Sequence, residues 1–463
     1  MAQVSILFKG NIERGRLDAE FYQKIYVQTV RTLRSIPHCK LGDVCFVTSG
    51  STPPDRDESL TDGIILLKTQ NIREGYIDLS NDVYYIDEVL DQRLKSTRLK
   101  PHDVLINIVG ATLEVIGRVA IIPNDFPRAN ITQAMALIRT TGSEFLPEYV
   151  FGFLYSKYGR LQVCRLARPT EQFNINHQEL REIVLPKMPA AFQHSLVDLV
   201  NRSGQLLRQS KTKRVQAETA LLENLDFTKM PHKYALTYIT TLSQCVKNSR
   251  IDSEFFRPEY DIIDEKMREV SKRNNWEIRT IDEISEPLKY GTSEKLTYLN
   301  DGLPFLRITD IQDMDFNPDS LCHISDEDAE KVKYARVSAG DLVVSRSGTL
   351  GLTVPIRKEL ENGIFGSYFI RVRPKVAINQ DYLALYLNSF FGRFQVNQIC
   401  TGALQTNLTI PAIEKIRVVV PSPEFQSEIG KMLTEARKLR NRARKTLEEI
   451  RLRVEKEIGR KSN

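Results

Sequence analysis

The chain has 463 residues and a net charge of +6, from 65 Lys and Arg against 59 Asp and Glu. That length predicts two to four domains, each long enough to bury its own core. Six cysteines stand singly at Cys39, Cys45, Cys164, Cys245, Cys322 and Cys400. With no Cys-x-x-Cys pair, the usual structural zinc site and a disulfide framework are excluded, which fits a reducing cytoplasm.

In chain order, Met1–Gly10 lacks a signal-peptide pattern, and residues 17–34 read as a helical opening within a segment 1–36. A globular part, 37–188, follows. Its short β-branched runs, such as Gly63-Ile-Ile-Leu-Leu, are punctuated by Gly, Pro, Asn and Asp, the pattern of strands and turns. The most apolar stretch, Val104–Ile122, includes Asn107, Glu114 and Arg118. It reads as strands joined by a turn, not as a membrane span. A helical stretch lies near 145–162.

Pro186 and Pro189 then introduce a long helix over 190–225, in a segment 189–226. Leu196, Val200, Leu207, Ala217, Leu221 and Leu225 share its seam; Ser203, Ser210 and Arg214 interrupt it. Residues 227–275 combine a linker with a second helical opening at 251–274. A second globular part, 276–421, contains Asp341-Leu-Val-Val-Ser and a helical stretch near 379–399. Pro421 and Pro423 introduce a second long helix, 424–458, in a segment 422–460. Its Ile429, Leu433, Ala436, Ala443, Leu447, Ile450 and Val454 recur mostly at steps of three and four, a coiled-coil seam.

The order is the same twice because the chain is internally duplicated. Tyr149, Gln172, Asn174, Phe192 and Gln193 meet Tyr382, Gln405, Asn407, Phe425 and Gln426 at a constant offset of 233 residues. Arg16-Leu17-Asp18-Ala19-Glu20-Phe21-Tyr22 is echoed by Arg250-Ile251-Asp252-Ser253-Glu254-Phe255-Phe256. A period this long is a repeated domain with its connector, not a solenoid unit. The expected fold is α+β: two similar globular domains separated by two long helices packed as an antiparallel coiled coil, with an internal pseudo-two-fold. Alternatively each helix packs on its own domain. A helix of about 35 residues spans about 50 Å, more than one turn of duplex DNA. Truncating 424–458 is expected to leave the globular domains folded.

Catalytic motifs are missing. No Gly-x-Gly, no Gly-Lys-Ser/Thr and no His-x-x-x-His occurs, so the Rossmann, P-loop and common zinc-hydrolase patterns are absent. The Asn-Pro-Pro-aromatic tetrapeptide of amino-methylating enzymes is missing, and Glu-x-Lys, half of a common nuclease metal site, does not occur. No catalytic or metal-binding residue is assigned.

Charge is uneven. Ser422–Asn463 carries 12 Lys and Arg against 7 Asp and Glu, whereas Pro37–Lys187 carries 17 against 19. A nucleic-acid contact would therefore use local patches. Matching loops carry suitable side chains. In the first repeat these are Lys68, Gln70, Asn71 and Arg73, then Asn107 and Thr112, then Arg165, Arg168, Gln172 and Asn174. In the second they are Arg307 and Thr309, then Arg346, Ser347 and Thr349, then Gln405 and Asn407. Arg and Lys read guanine and Asn and Gln read adenine by paired hydrogen bonds, while hydroxyls hold phosphates. The alternative is that Gly110 and Gly348 are turn glycines and these polar groups satisfy loop backbones.

The ordered pattern resembles the specificity subunit of type I restriction-modification systems. The resemblance rests on Gly50-Ser51-Thr52-Pro53, on Gly340-Asp341 to Gly348-Thr349, on the Gln-x-Asn element and on the proline-introduced Phe-Gln at 192–193 and 425–426. Departures are Tyr290-Gly291-Thr292-Ser293 without proline, His102-Asp103 for Gly-Asp, and Phe-Gln where Glu-Gln is commoner. The resemblance implies two target-recognition domains, 37–188 and 276–421, each reading half of a split double-stranded DNA site, with the helices as a ruler. It implies a non-catalytic cytoplasmic chain with no membrane contact. The partners implied are two modification subunits binding S-adenosylmethionine and ATP-driven restriction subunits. The alternatives are a stand-alone DNA-modifying or cleaving enzyme with an unrecognised site, a targeting subunit of another methylation-based defence system, or a coiled-coil adaptor binding only proteins.

Overall fold

The computed structural model describes residues 16–73, 75–79, 83–142, 144–169, 171–227, 237–400 and 407–462. It divides into two compact units, Met1–Arg208 with Leu439–Asn463, and Gln209–Lys438.

The first unit holds a four-stranded antiparallel sheet in the order Cys45–Ser49, Met135–Thr140, Val104–Asn107, Val119–Ile121. A second sheet has the order Tyr84–Ile86, Ile64–Leu67, Ala129–Ile131, its last pair parallel. The second unit repeats both. Lys289–Tyr290, Phe369–Val372, Leu342–Ser345 and Thr353–Pro355 form the four-stranded sheet. Cys322–Ile324, Leu303–Leu306 and Ile364–Phe365 form the other, again ending in a parallel pair. The fold is α+β. Val104–Ile122 is indeed strands and a turn, with Val104–Asn107 paired to Val119–Ile121 and a short strand at Val109–Gly110, and no helix among the described residues is long and apolar enough to cross a membrane.

Equivalent residues do equivalent work. Gly63 and Gly302 lead into matching strands at φ 133° and 134°, a region open to glycine. A Cβ on Gly50 or Gly291 would overlap the carbonyl oxygen of Ile131 or Gly366, so close backbone approach explains why each turn keeps its glycine. Asp103 accepts from Arg139 Nε at 2.6 Å, and Asp341 from Arg373 Nε at 2.7 Å. Before these aspartates the chain is left-handed at both His102 (φ 67°) and Gly340 (φ 97°). His102 adopts a glycine's conformation while its Nδ1 lies 2.8 Å from buried Glu148 Oε1.

The inner helical stretches are each two helices, not one. Pro147–Tyr155 and Lys157–Leu166 break at Ser156; Gln380–Asn388 and Phe390–Cys400 break at Ser389. Each serine hydroxyl donates back to the preceding turn, to Phe153 O and Tyr386 O, at 2.6 Å. Buried Tyr149 and Tyr382 donate to Pro186 O (2.7 Å) and Val419 O (2.6 Å), and burial pushes both phenols well above their ordinary range.

The first long helix is Ala190–Asn224 and the second Pro423–Ser462. Both units contain a segment of each. Leu196, Leu199 and Val200 join Leu447, Ile450, Val454 and Ile458 in the core of the first unit. Ala217, Leu221 and Leu225 join Ile429 and Leu433 in the second. In that unit the helices run antiparallel: Ser210 Oγ donates to Ala436 O at 2.7 Å, and Lys213 pairs with Glu435 at 3.1 Å. The predicted seam is buried at Leu196, Val200, Ala217, Leu221 and Leu225 and departs at one position, where Leu206 is buried and Leu207 only half-buried. The polar seam residues are satisfied: Ser203 bonds to Val200 O at 2.8 Å and Arg214 meets Asp313 at 3.5 Å. The helix end is thus part of a globular core. This packing argues against the expectation that the domains stay folded without 424–458.

Candidate nucleic-acid interface

Three loops converge in each unit. In the first, Thr69–Asn71 is a single 3-10 turn after the strand Ile64–Leu67. Asn107 Nδ2 donates to Thr69 O at 2.9 Å, tying that turn to the end of the next strand. Val109–Gly110 then pairs with Phe173–Asn174, which pairs with Arg168–Pro169. In the second unit, the matching turn Ile308–Asp310 places Ile308 against Gly348, and Leu408 N donates to Arg346 O at 2.9 Å. The segments singled out from sequence therefore meet, within each unit, at one loop cluster.

Their side chains divide into two groups. Asn71 is fully buried; its Oδ1 accepts from Lys68 N at 2.9 Å and its Nδ2 donates to Asp78 O. Asn107 is fully buried too, with its Nδ2 spent on Thr69 O and Val115 O. Arg165 is buried over the Phe21 ring at 3.8 Å and donates to Phe21 O. Lys68 lies buried over Tyr84 at 3.8 Å, with Arg56 4.0 Å from the same ring. Arg73 faces Asp78 at 3.6 Å. Arg307 donates to both oxygens of Asp310 (3.0 and 2.7 Å) and to Ser320 O, and this carboxylate raises its pKa. Asn71, Asn107 and Arg165 are thus not free to read base edges as predicted: tight turns leave backbone carbonyls that need donors, and these side chains supply them.

The others face solvent. Gln70, Thr112, Arg168, Gln172, Asn174, Thr309, Thr349 and Asn407 are exposed, and Ser347 and Arg346 are half-buried. Arg168 donates to Glu179 Oε1 at 2.6 Å. Gln405 lies outside the described residues. The sequence reading missed three aromatic neighbours, Tyr84, Tyr290 and Tyr368. Nothing in a single tyrosine's spacing marks it as a surface ring, so only the fold reveals them. Among the described residues no group of three or more His, Cys, Asp or Glu is placed to hold a metal ion.

Residues 273–451 match the family profile described as the type I restriction modification DNA specificity domain. The EcoBI specificity subunit of a type I restriction enzyme of Escherichia coli is 26% identical over 164 residues, covering 35% of this chain and 33% of that protein. The StySPI specificity subunit of Salmonella potsdam is 24% identical over 161 residues, 34% of each. The matched stretch thus spans about a third of the length of these curated relatives. Among solved structures, the S subunit of the M. genitalium type I restriction-modification system aligns with a TM-score of 0.42 at 13% identity, over 91% of this chain and 94% of that one. The HsdS subunit of Thermoanaerobacter tengcongensis aligns with a TM-score of 0.29 at 15% identity, over 92% and 95%. The resemblance of the chain to the specificity subunits of type I restriction-modification systems therefore holds, carried by sequence through residues 273–451.

Proposed function

We propose that the chain is the non-catalytic DNA-specificity subunit of a type I restriction-modification complex. Each globular part, 37–188 and 276–421, reads one half of a split double-stranded site through its loop cluster. The long helices set the unread gap. Two modification subunits, carrying S-adenosylmethionine, and ATP-dependent restriction subunits dock on this chain in the cytoplasm.

The observation that carries this reading is the duplication: one scaffold, with equivalent hydrogen bonds in both repeats, carries different polar letters on its loops. Gln193 Oε1 accepts from Leu146 N at 2.8 Å, as Gln426 Oε1 does from Asn379 N at 2.9 Å. Yet the exposed letter on the matching turns differs, Gln70 in one repeat and Thr309 in the other. Constant frames with varied exposed loops suit two readers of different half-sites.

The test is binding of the chain, assembled with its modification subunits, to duplex DNA at physiological salt. One sequence should be preferred over a shuffled duplex by about a thousandfold or more, and affinity should fall steeply with added salt. Equal affinity for both duplexes would contradict the proposal.

A further inference from the structure

The two loop clusters share a stretch of backbone frame, and one paired position on it carries quite different chemistry. In the first unit, Ile108 N donates to Ala134 O (3.0 Å), and Ile175 N donates to Ile108 O (2.9 Å). In the second, Arg346 N donates to Tyr368 O (2.8 Å), and Leu408 N donates to Arg346 O (2.9 Å). The residues just before them, Asn107 and Ser345, both accept through their carbonyls from a glycine, Gly117 N and Gly351 N, at 2.8 Å. Arg346 therefore occupies the place of Ile108.

Ile108 is buried in its core. Arg346 instead lays its guanidinium 4.7 Å from the centre of the Tyr290 ring. Tyr290 in turn stands where the first repeat has Ser49, one residue before the turn glycine. The arginine and its ring occur together in one unit and are absent together from the other. Tyr290 is itself fixed, since its hydroxyl oxygen accepts from Ile410 N at 3.1 Å. Arg346 Nε is buried without a hydrogen-bond partner, and among the described residues no carboxylate pairs with this side chain. The exposed rim beside it carries Lys289 and Tyr368.

A phosphate can be met by a mobile cation. A guanidinium seated 4.7 Å from a ring centre, with Nε inside the protein, is restrained and leaves its Nη groups to meet a ligand. That is the geometry for two parallel hydrogen bonds to guanine O6 and N7. We infer that Arg346, seated on Tyr290, reads a guanine in the half-site of the second unit, and that the first unit reads no base through the equivalent position. This rests on the proposed function and assigns one letter within it.

The test uses the full chain assembled with its modification subunits and a pool of duplex DNA with a randomised window, the bound sequences being read out. The wild type should enrich a split motif. Arg346→Ala should enrich the same motif with one guanine relaxed, discrimination there falling about five- to hundredfold, and every other position kept. Arg346→Lys should retain overall binding yet lose the same guanine, because an ammonium lacks the fork. It also serves if the alanine variant melts early. Tyr290→Leu, which removes the ring, should relax that guanine as well. An unchanged motif in Arg346→Ala would overturn the inference. So would a uniform loss across all sequences, which marks a phosphate contact. If the wild type itself enriches no motif, the proposed function fails first and takes the inference with it.

Discussion

Arg16 and Arg250 each grip the aspartate two residues on through both guanidinium arms, at 2.7 Å to Asp18 and at 2.5 and 2.7 Å to Asp252. Each then reaches a distant backbone carbonyl, Leu166 O or Ile399 O, and covers a phenylalanine ring. The arginines hold both carboxyls below the ordinary carboxylate range. A lowered folded pKa stabilises the fold above the unfolded value, and that stabilisation is lost as pH falls through the folded one. The window therefore lies below about pH 4. In urea unfolding measured from pH 7 to pH 3, Asp18→Asn should be less stable at neutral pH and lose less on acidification than the parent chain. Identical slopes would remove the clamp from the account.

Gln193 makes a comparable prediction. Its Nε2 donates to Met188 O and Glu144 O at 3.0 Å while Oε1 serves Leu146 N. Gln193→Ala strands these buried groups and should cost about 1–3 kcal/mol of unfolding free energy. At this scale the repeated letters were legible in the sequence, but their roles were not. Gln193 looked like a family signature and Tyr149 like a mark of the repeat, and both are struts, while Asn71 and Asn107 looked like readers and turned inward. Residue type gives hydrogen-bonding capacity; direction comes from the fold.

Elements were legible where a period or a punctuating residue marks them. Short apolar runs gave the strands, and prolines at 189 and 423 gave the starts of the long helices to within a residue or two. The breaks at Ser156 and Ser389 were hidden because Pro147–Tyr155 and Gln380–Asn388 are buried on nearly all faces, leaving no polar stripe to mark a change of axis. The second long helix carries the sharpest prediction at this scale. A chain ending at Arg444 loses Leu447, Ile450, Val454 and Ile458, all at 0–1% exposure in the core of the first unit. Each such deletion costs about 2–5 kcal/mol, so four together match or exceed the stability of an ordinary domain, about 5–15 kcal/mol. Calorimetry should show the transition of the second unit alone, whose core draws on Ile429 and Leu433 instead. Two intact transitions would mean that the helix end is dispensable.

For the whole molecule, the duplication was the most readable feature, and the sharing of both helices between both units was the least. Sequence places a seam on each helix but does not say which core receives which part of it. The unit boundaries at Arg208 and Lys438 give a direct handle on the proposed ruler. Four residues inserted into each helix there leave the contacts within each unit in place and add about 6 Å, roughly two base pairs of duplex. The recognised half-sites should be unchanged and the gap between them longer; a constant gap would refute the ruler. The central claim, that this chain chooses which DNA a modification complex acts on, is tested most directly by mapping methylated adenines across host DNA with and without the chain. The account predicts that methylation disappears from one split motif of fixed gap when the chain is removed. Methylation that stays the same at every motif would contradict it.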